Sequence, residues 1–454
     1  MSPGHPTRAT PQDLASLYAE TVRTPMCIGV VAILDGNLDL PSVRAAVERR
    51  LHLVPRLRQR LLRPLPGLGR PVWVDDPGFD VANHVRARRL PPAAGEPELL
   101  AACEELASVR LDRARPLWEL WLLPGLAGGR TGAFLRVHHV VADGVAGVGL
   151  LAALLDLEPD APGLPAAPWT PRPAPTAGEL LADGLRRRRR ALAHPLRAAR
   201  RLRVGLPALR ELLGEDPAPH CSLNRPVGAG RRLLVVQARL DRVKAAAHAE
   251  GAKVNDVVLA AVAGGARALL RSRGEPVEGL LLRAAVPVSL RPGDPGVDGN
   301  RVGGMAVPLP VGEARPAWLL RRIAGETAVR RRRPPAPLFD GVLAAPLVQR
   351  TVAHLYDHQR LVNLFVTNVP GPPVPLYLAG ARLLEVFPVI PIQGNVTVGV
   401  GALSYDGQLN LGIVADADAC PDVQVFADGL RETLDRLTAA FHDRGLVAAS
   451  AGGS

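Results

Sequence analysis

The 454-residue sequence predicts an α/β protein built as two halves joined by a helical linker. Three observations carry that expectation. The length exceeds what one ordinary hydrophobic core fills and suits two domains. Strand-like and helix-like segments alternate up to about residue 155 and resume after Asn224. Between them the composition turns to Pro and Ala from Glu158 to about Thr176, then to Arg and Leu, as in a linker. The expected division is therefore 1–157, a linker over 158–222, and 223–454.

The elements follow in order. CIGVVAIL (27–34) is a continuous apolar run rich in β-branched residues, as in a buried strand. DLPSVRAAVERRL (39–51) opens on a capping Asp and carries helical spacing. LWELWLL (117–123) and TGAFLRVHH (131–139) read as strands joined by the turn PGLAGG. GVAGVGLLAALLDL then reads as a helix with Asp143 at its N-cap. Across 178–214, leucines from Leu181 to Leu213 recur at helical intervals between arginines, interrupted by Pro195 and Pro207. This basic amphipathic pattern fits a solvated bridge between domains or a surface lying on anionic lipid headgroups. It lacks the aromatics that stack on bases, which disfavours RNA. Farther on, RRLLVVQARL, LLLRAAVPVSL and LNLGIVAD (409–416) read as strands. KVNDVVLAAVAGGARALL reads as a helix entered through an Asn-Asp cap, and PDVQVFADGLRETLDRLTAAF as a closing amphipathic helix.

Hydrophobic residues make up 47% of the chain, ample for burial. The net charge is +12, but only Lys244 and Lys253 are lysines, and 45 Gly and 45 Pro accompany the arginines. That pattern carries the mark of coding bias, so the basic balance supports an anionic partner only weakly. The four cysteines lie far apart without a CxxC pair, which speaks against zinc ligation and a disulfide framework and for a reducing compartment. The first twenty residues have no apolar h-region, so no signal peptide is expected. No run reaches the roughly 18 apolar residues of a spanning helix. The expected location is cytoplasmic, with any membrane contact made from one side. His354 and His358 are four apart but lack the glutamate of HExxH, so no metal is expected. No GxSxG elbow, Walker loop or strand-linked GxGxxG occurs, and serine hydrolases, P-loop NTPases and Rossmann dehydrogenases lose their signatures.

The stretch LRVHHVVADGVAG (135–147) carries the chemistry. A strand ending in His139, with Asp143 and Gly144 opening a helix, puts an imidazole at an element boundary. A neutral imidazole there can take a proton from an alcohol or amine attacking a carbonyl. Asp143 is placed to shape the turn, by capping or by pairing with an arginine, and not to act as a nucleophile. Gly144 allows a tight turn and close approach of backbone or ligand. On these residues alone, a buried histidine pair satisfied by backbone groups is an equally open reading.

HHVVADG matches the HHxxxDG pattern of CoA-dependent acyltransferases of the chloramphenicol acetyltransferase-like superfamily and of peptide-synthetase condensation domains. Other segments separate these branches. PLWEL (116–120), NDVVLA (255–260), AVPVSLR (285–291), GNRVGGMAVPLP (299–310) and TNVPGPPVPLYLAGARL (367–383) resemble, in order, blocks of the bacterial wax ester synthase/diacylglycerol acyltransferase family. The resemblance spans about Asp13 to Phe441. It implies two chloramphenicol acetyltransferase-like domains with the active site in a tunnel between them. It also implies transfer of a fatty acyl group from acyl-CoA, as co-substrate without a further cofactor, to diacylglycerol or a long-chain alcohol. By the motif match His139 is the base, His138 its less essential neighbour, and Asp143 and Gly144 hold the turn. Trp118, Asn255, Asp256, Asn300 and Asn368 fall in the supporting blocks. Of these, Trp118 reads more as core packing than as a ligand contact, Asn255 can be a helix cap, and Asn368 sits in a turn-rich stretch. Cys27 stands where the family commonly has a histidine after Pro-Met. Two other functions remain: a condensation-type or natural-product acyltransferase using a carrier-protein thioester, and a non-catalytic protein of lipid-inclusion surfaces. The expected partners are acyl-CoA with diacylglycerol or fatty alcohol, an anionic membrane or lipid-droplet surface reached through 178–214, and no nucleic acid.

Overall fold

The computed structural model describes residues 7–64, 69–161, 168–193, 217–289, 302–332 and 356–451. Asn300, His354 and residues 194–214 of the amphipathic segment lie outside these residues. Apart from short 3-10 turns, the first half runs α1 (Pro11–Ala19), β1 (Cys27–Leu34), α2 (Leu40–Arg50), β2 (Gln59–Leu62), β3 (Val72–Asp75), β4 (Val85–Ala87), α3 (Glu96–Ala107), β5 (Trp118–Leu126), β6 (Arg130–His138), α4 (Gly144–Leu154) and α5 (Ala177–Ala193). The second half runs β7 (Arg231–Arg239), α6 (Leu240–Ala249), α7 (Val254–Ser272), β8 (Leu281–Ser289), β9 (Val302–Pro310), α8 (Pro316–Arg331), β10 (Leu364–Pro370), β11 (Tyr377–Leu378), β12 (Ala381–Val389), β13 (Val398–Tyr405), β14 (Gln408–Asp416) and α9 (Val423–Ala451).

Two six-stranded sheets result, ordered β11-β12-β1-β6-β5-β4 and β7-β14-β13-β10-β8-β9, with β2 and β3 a separate pair. The sheets are not shared out at the expected boundary of residue 223. β11 and β12, far into the second half, belong to the first sheet, where Gly29 to Leu34 of β1 pair with β12. The apolar β1 would otherwise present a bare row of amide and carbonyl groups on that side. β12 also lies against the second sheet: a Cβ added at Gly412 of β14 would meet the Pro388 carbonyl oxygen at 1.9 Å, so only glycine permits this crossing. The cores join accordingly. Trp118, Val137 and Leu150 share one hydrophobic cluster with Val369, Leu403 and Tyr405 of the second half.

Three local expectations are corrected. β5 does not end before PGLAGG. It continues through Pro124–Leu126 on a bulge, because Leu90 donates to the Pro124 carbonyl (2.9 Å) and Ala94 to that of Gly125 (3.0 Å), keeping the segment in the sheet. The helix α7 is not capped by Asn255: Asp256 Oδ2 accepts from the Lys253 amide at 2.9 Å. Asn368 is not in a loop but inside β10, opposite Ala402 of β13 in a parallel pair.

α5 leans on the β2–β3 pair. Leu180 is buried with Val72 and Val74, and Asp183 accepts from Arg8 Nε at 3.1 Å. Leu181, Leu185 and Leu192 stay exposed on a different side of the helix. Among the described residues no helix is long and apolar enough to cross a membrane.

Candidate active site

β6 delivers the histidine pair to the edge of the first sheet and stops at His138. His139 begins a turn whose geometry is set by backbone bonds: its amide donates to Met26 O at 2.7 Å, and the Val141 amide to His138 O at 2.8 Å. Asp143 then caps α4, with Oδ1 accepting from the Ala146 amide at 2.8 Å in extended backbone geometry. Gly144 needs no left-handed conformation. Its constraint is space, since an added Cβ would come within 3.2 Å of Val369 Cγ2 and 3.9 Å of Thr367 Oγ1. The glycine of the motif therefore serves close packing of α4 on β10, not a tight turn.

His139 keeps part of its surface open, yet protein crowds the ring. Burial lowers its pKa, the attraction of Asp143 raises it, and burial prevails. The imidazole is thus neutral at neutral pH, the protonation state a general base requires.

His138 is wholly buried. Its Nδ1 accepts from the Val140 amide at 3.0 Å, so a neutral ring carries its proton on Nε2. Nε2 lies 3.5 Å from Glu20 Oε1, an ion-pair distance longer than a well-formed hydrogen bond. Glu20 also takes Nε of Arg113 at 2.8 Å and stands 3.7 Å from Nε of Arg110. Burial pushes its carboxyl up, but His138 and Arg113 together bring it down to about 2. Glu20 is absent from the sequence expectations: 118 positions separate it from His138, and SLYAE has no pattern that marks an acid for burial.

Beside this turn, an apolar cavity with about 610 Å³ of empty space, part of it open to solvent, lies between the two sheets. Its wall takes Ile28 and Val30 from β1, Val137 from β6, Gly144 and Gly147 from α4, and Val369 from β10, with Thr367 the one hydroxyl among the described lining residues. Gly147 is held close as well, an added Cβ there standing 3.0 Å from Ile28 Cδ1. His139 is not one of the lining residues; the motif reaches the cavity through Gly144.

The supporting residues divide. Trp118 is 1% exposed, donates from Nε1 to Leu57 O at 2.8 Å and stacks on His84 with centroids 4.8 Å apart, which makes it core. Asp256 is buried between α7 and α8, accepting from Thr327 Oγ1 and Arg331 Nη2, both at 2.7 Å. Asn255 is half-buried beside it, and Asn368 sits between Thr367 and Val369 without lining the cavity. Cys27 pairs with His138 across the sheet, and burial pushes its thiol up to about 12, leaving no thiolate for chemistry.

Comparison with known proteins is consistent along most of the chain. Residues 10–258 match the wax ester synthase/diacylglycerol acyltransferase catalytic domain, and residues 298–438 match the C-terminal domain of the same family. Two Mycobacterium tuberculosis proteins carrying the name diacylglycerol O-acyltransferase are each 33% identical; the alignments cover 95% of this chain and 90% and 95% of theirs. The solved wax ester synthase/diacylglycerol acyltransferase from Marinobacter aquaeolei VT8 superposes with a TM-score of 0.70 at 26% identity, covering 96% of this chain and all of that one. The first condensation domain of the calcium-dependent antibiotic synthetase superposes at 0.63 with 18% identity, covering 96% of this chain and 97% of that one, a likeness of fold alone.

Proposed function

Because the chain belongs to the wax ester synthase/diacylglycerol acyltransferase family, and is an acyltransferase of two chloramphenicol acetyltransferase-like domains, we propose that it moves a fatty acyl group from acyl-CoA to the hydroxyl of diacylglycerol or a long-chain alcohol. The observation that carries this reading is a neutral histidine on the same short turn as Gly144, which forms part of an apolar cavity between the sheets. His139 takes the acceptor proton as the hydroxyl oxygen attacks the thioester carbonyl. The tetrahedral intermediate then collapses, and CoA leaves as the thiol carrying that proton. No acyl-enzyme forms and no cofactor beyond the co-substrate takes part. Asp143 and Gly144 act by holding α4 against the cavity.

The acceptors are amphiphiles, so the enzyme meets an interface. Leu181, Leu185 and Leu192 are spaced four and seven apart and share one exposed face of α5, flanked by the exposed Arg186 to Arg190. This stripe suits an anionic bilayer or lipid-inclusion surface on the cytoplasmic side. Purified protein given radiolabelled acyl-CoA with diacylglycerol or hexadecanol tests the activity. Labelled triacylglycerol or wax ester is expected. Transfer only from an acylated carrier protein, or no transfer at all, would overturn it.

A further inference from the structure

Glu20 closes the N-terminal helix α1 some 118 residues before the histidine motif, yet its side chain is only 1% exposed and faces that motif from behind. A buried carboxylate is costly unless paired and bonded. Here both oxygens are engaged. Oε2 takes Arg113, which itself donates to Leu17 O at 3.2 Å and so ties the acid to α1. Oε1 faces two groups of the site at once: the His138 ring nitrogen at 3.5 Å and the Met26 amide, in a long bond of 3.4 Å.

Those two contacts reach His139 by separate routes. Met26 presents its amide to Glu20 and, from the next peptide unit, its carbonyl to the His139 amide, 2.7 Å away. The His138 ring, with its proton directed at Glu20, keeps Nδ1 bare to accept from Val140, which fixes the turn just after His139. We propose that Glu20 is a positioning residue for acyl transfer, clamping the His138 ring and the Met26 backbone together so that the backbone carrying His139 is held on both sides. The carboxylate touches neither substrate nor the reacting atoms. It acts through His138 and Met26, and the first route explains why a second histidine adjoins the base: its ring is a strut with a fixed tautomer.

This inference rests on His139 being the base, and the test separates the two. In acyl-CoA transfer assays at equal folded fraction, Glu20→Gln keeps the volume but loses the charge and one of the two acceptor oxygens. Its kcat should fall about 10–100-fold, the scale of a small misplacement of a catalytic group, while KM for acyl-CoA stays unchanged. The double variant Glu20→Gln/His138→Ala should lose less than the product of the two single losses, because both changes remove the same His138 strut. A second pair leaves Glu20 intact. His138→Gln retains a donor toward Glu20 and should keep more activity than His138→Asn, which retains only an acceptor for Val140. Wild-type kcat in Glu20→Gln, additive losses in the double variant, or the reverse order of the His138 variants would each overturn the proposal. An active His139→Ala would instead overturn the reading of the base.

Discussion

Replacing His139 with Ala should reduce acyl transfer about 10²–10⁴-fold, the contribution of a general base, with an unchanged circular dichroism spectrum and melting profile. His138→Ala should cost less, because that ring is wholly buried, with Nδ1 accepting from the Val140 amide and Nε2 facing Glu20. The pH dependence follows from burial. His139 titrates below the ordinary histidine value of roughly 6.5, so kcat/KM should hold as pH falls through that value and decline only below it. Stability has the matching sign: below about 6.5 the unfolded chain binds a proton that the folded histidine resists, so Tm should drop on acidification through that range. An acid limb of the rate profile at or above 6.5 would contradict the buried, neutral ring. At this scale the motif was readable because a strand end, two imidazoles and an Asp-Gly cap are all local. The contacts of Glu20 were not, since nothing within five or ten residues of an acid records which ring it will face after folding.

Among elements, the α7–α8 contact makes the sharpest claim. Asp256 holds the start of α7, the Thr327 hydroxyl and the Arg331 guanidinium at once. Asp256→Ala should lower stability by about 1–3 kcal/mol, the cost of stranding buried partners, and by more than Asn255→Ala in the same urea titration. Equal effects would mean that the Asn-Asp pair works through Asn255. For α5, changing Arg186 to Arg190 to Gln should weaken binding to phosphatidylserine vesicles at low salt and reduce activity on vesicle-presented diacylglycerol, while a short soluble alcohol remains a good acceptor. Undiminished vesicle binding would leave the helix as a bridge resting on β2 and β3. About half of the elements were legible, β1 and the Asp39-capped α2 to the residue at their starts, because periodicity and caps are local signals. Two of the misses share a cause: Pro124–Leu126 and Asn368 carry turn-forming residues that the neighbouring strands override with ladder bonds.

For the whole molecule, the pairing of β1 with β12 could not be read from either half, since nothing in CIGVVAIL names a partner more than 340 residues away. It makes the halves interdependent. Residues 1–222 expressed alone should aggregate, and co-expression with residues 223–454 should restore a soluble complex; a soluble, monomeric first fragment would show the sheet complete without β12. The same pairing sets a schedule for the cell. A ribosome adding about 5–20 residues per second releases β1 long before β12, leaving the strand bare for roughly 20–70 s. During synthesis this chain must shelter its own first strand, and chaperone depletion should harm the nascent protein far more than the finished one.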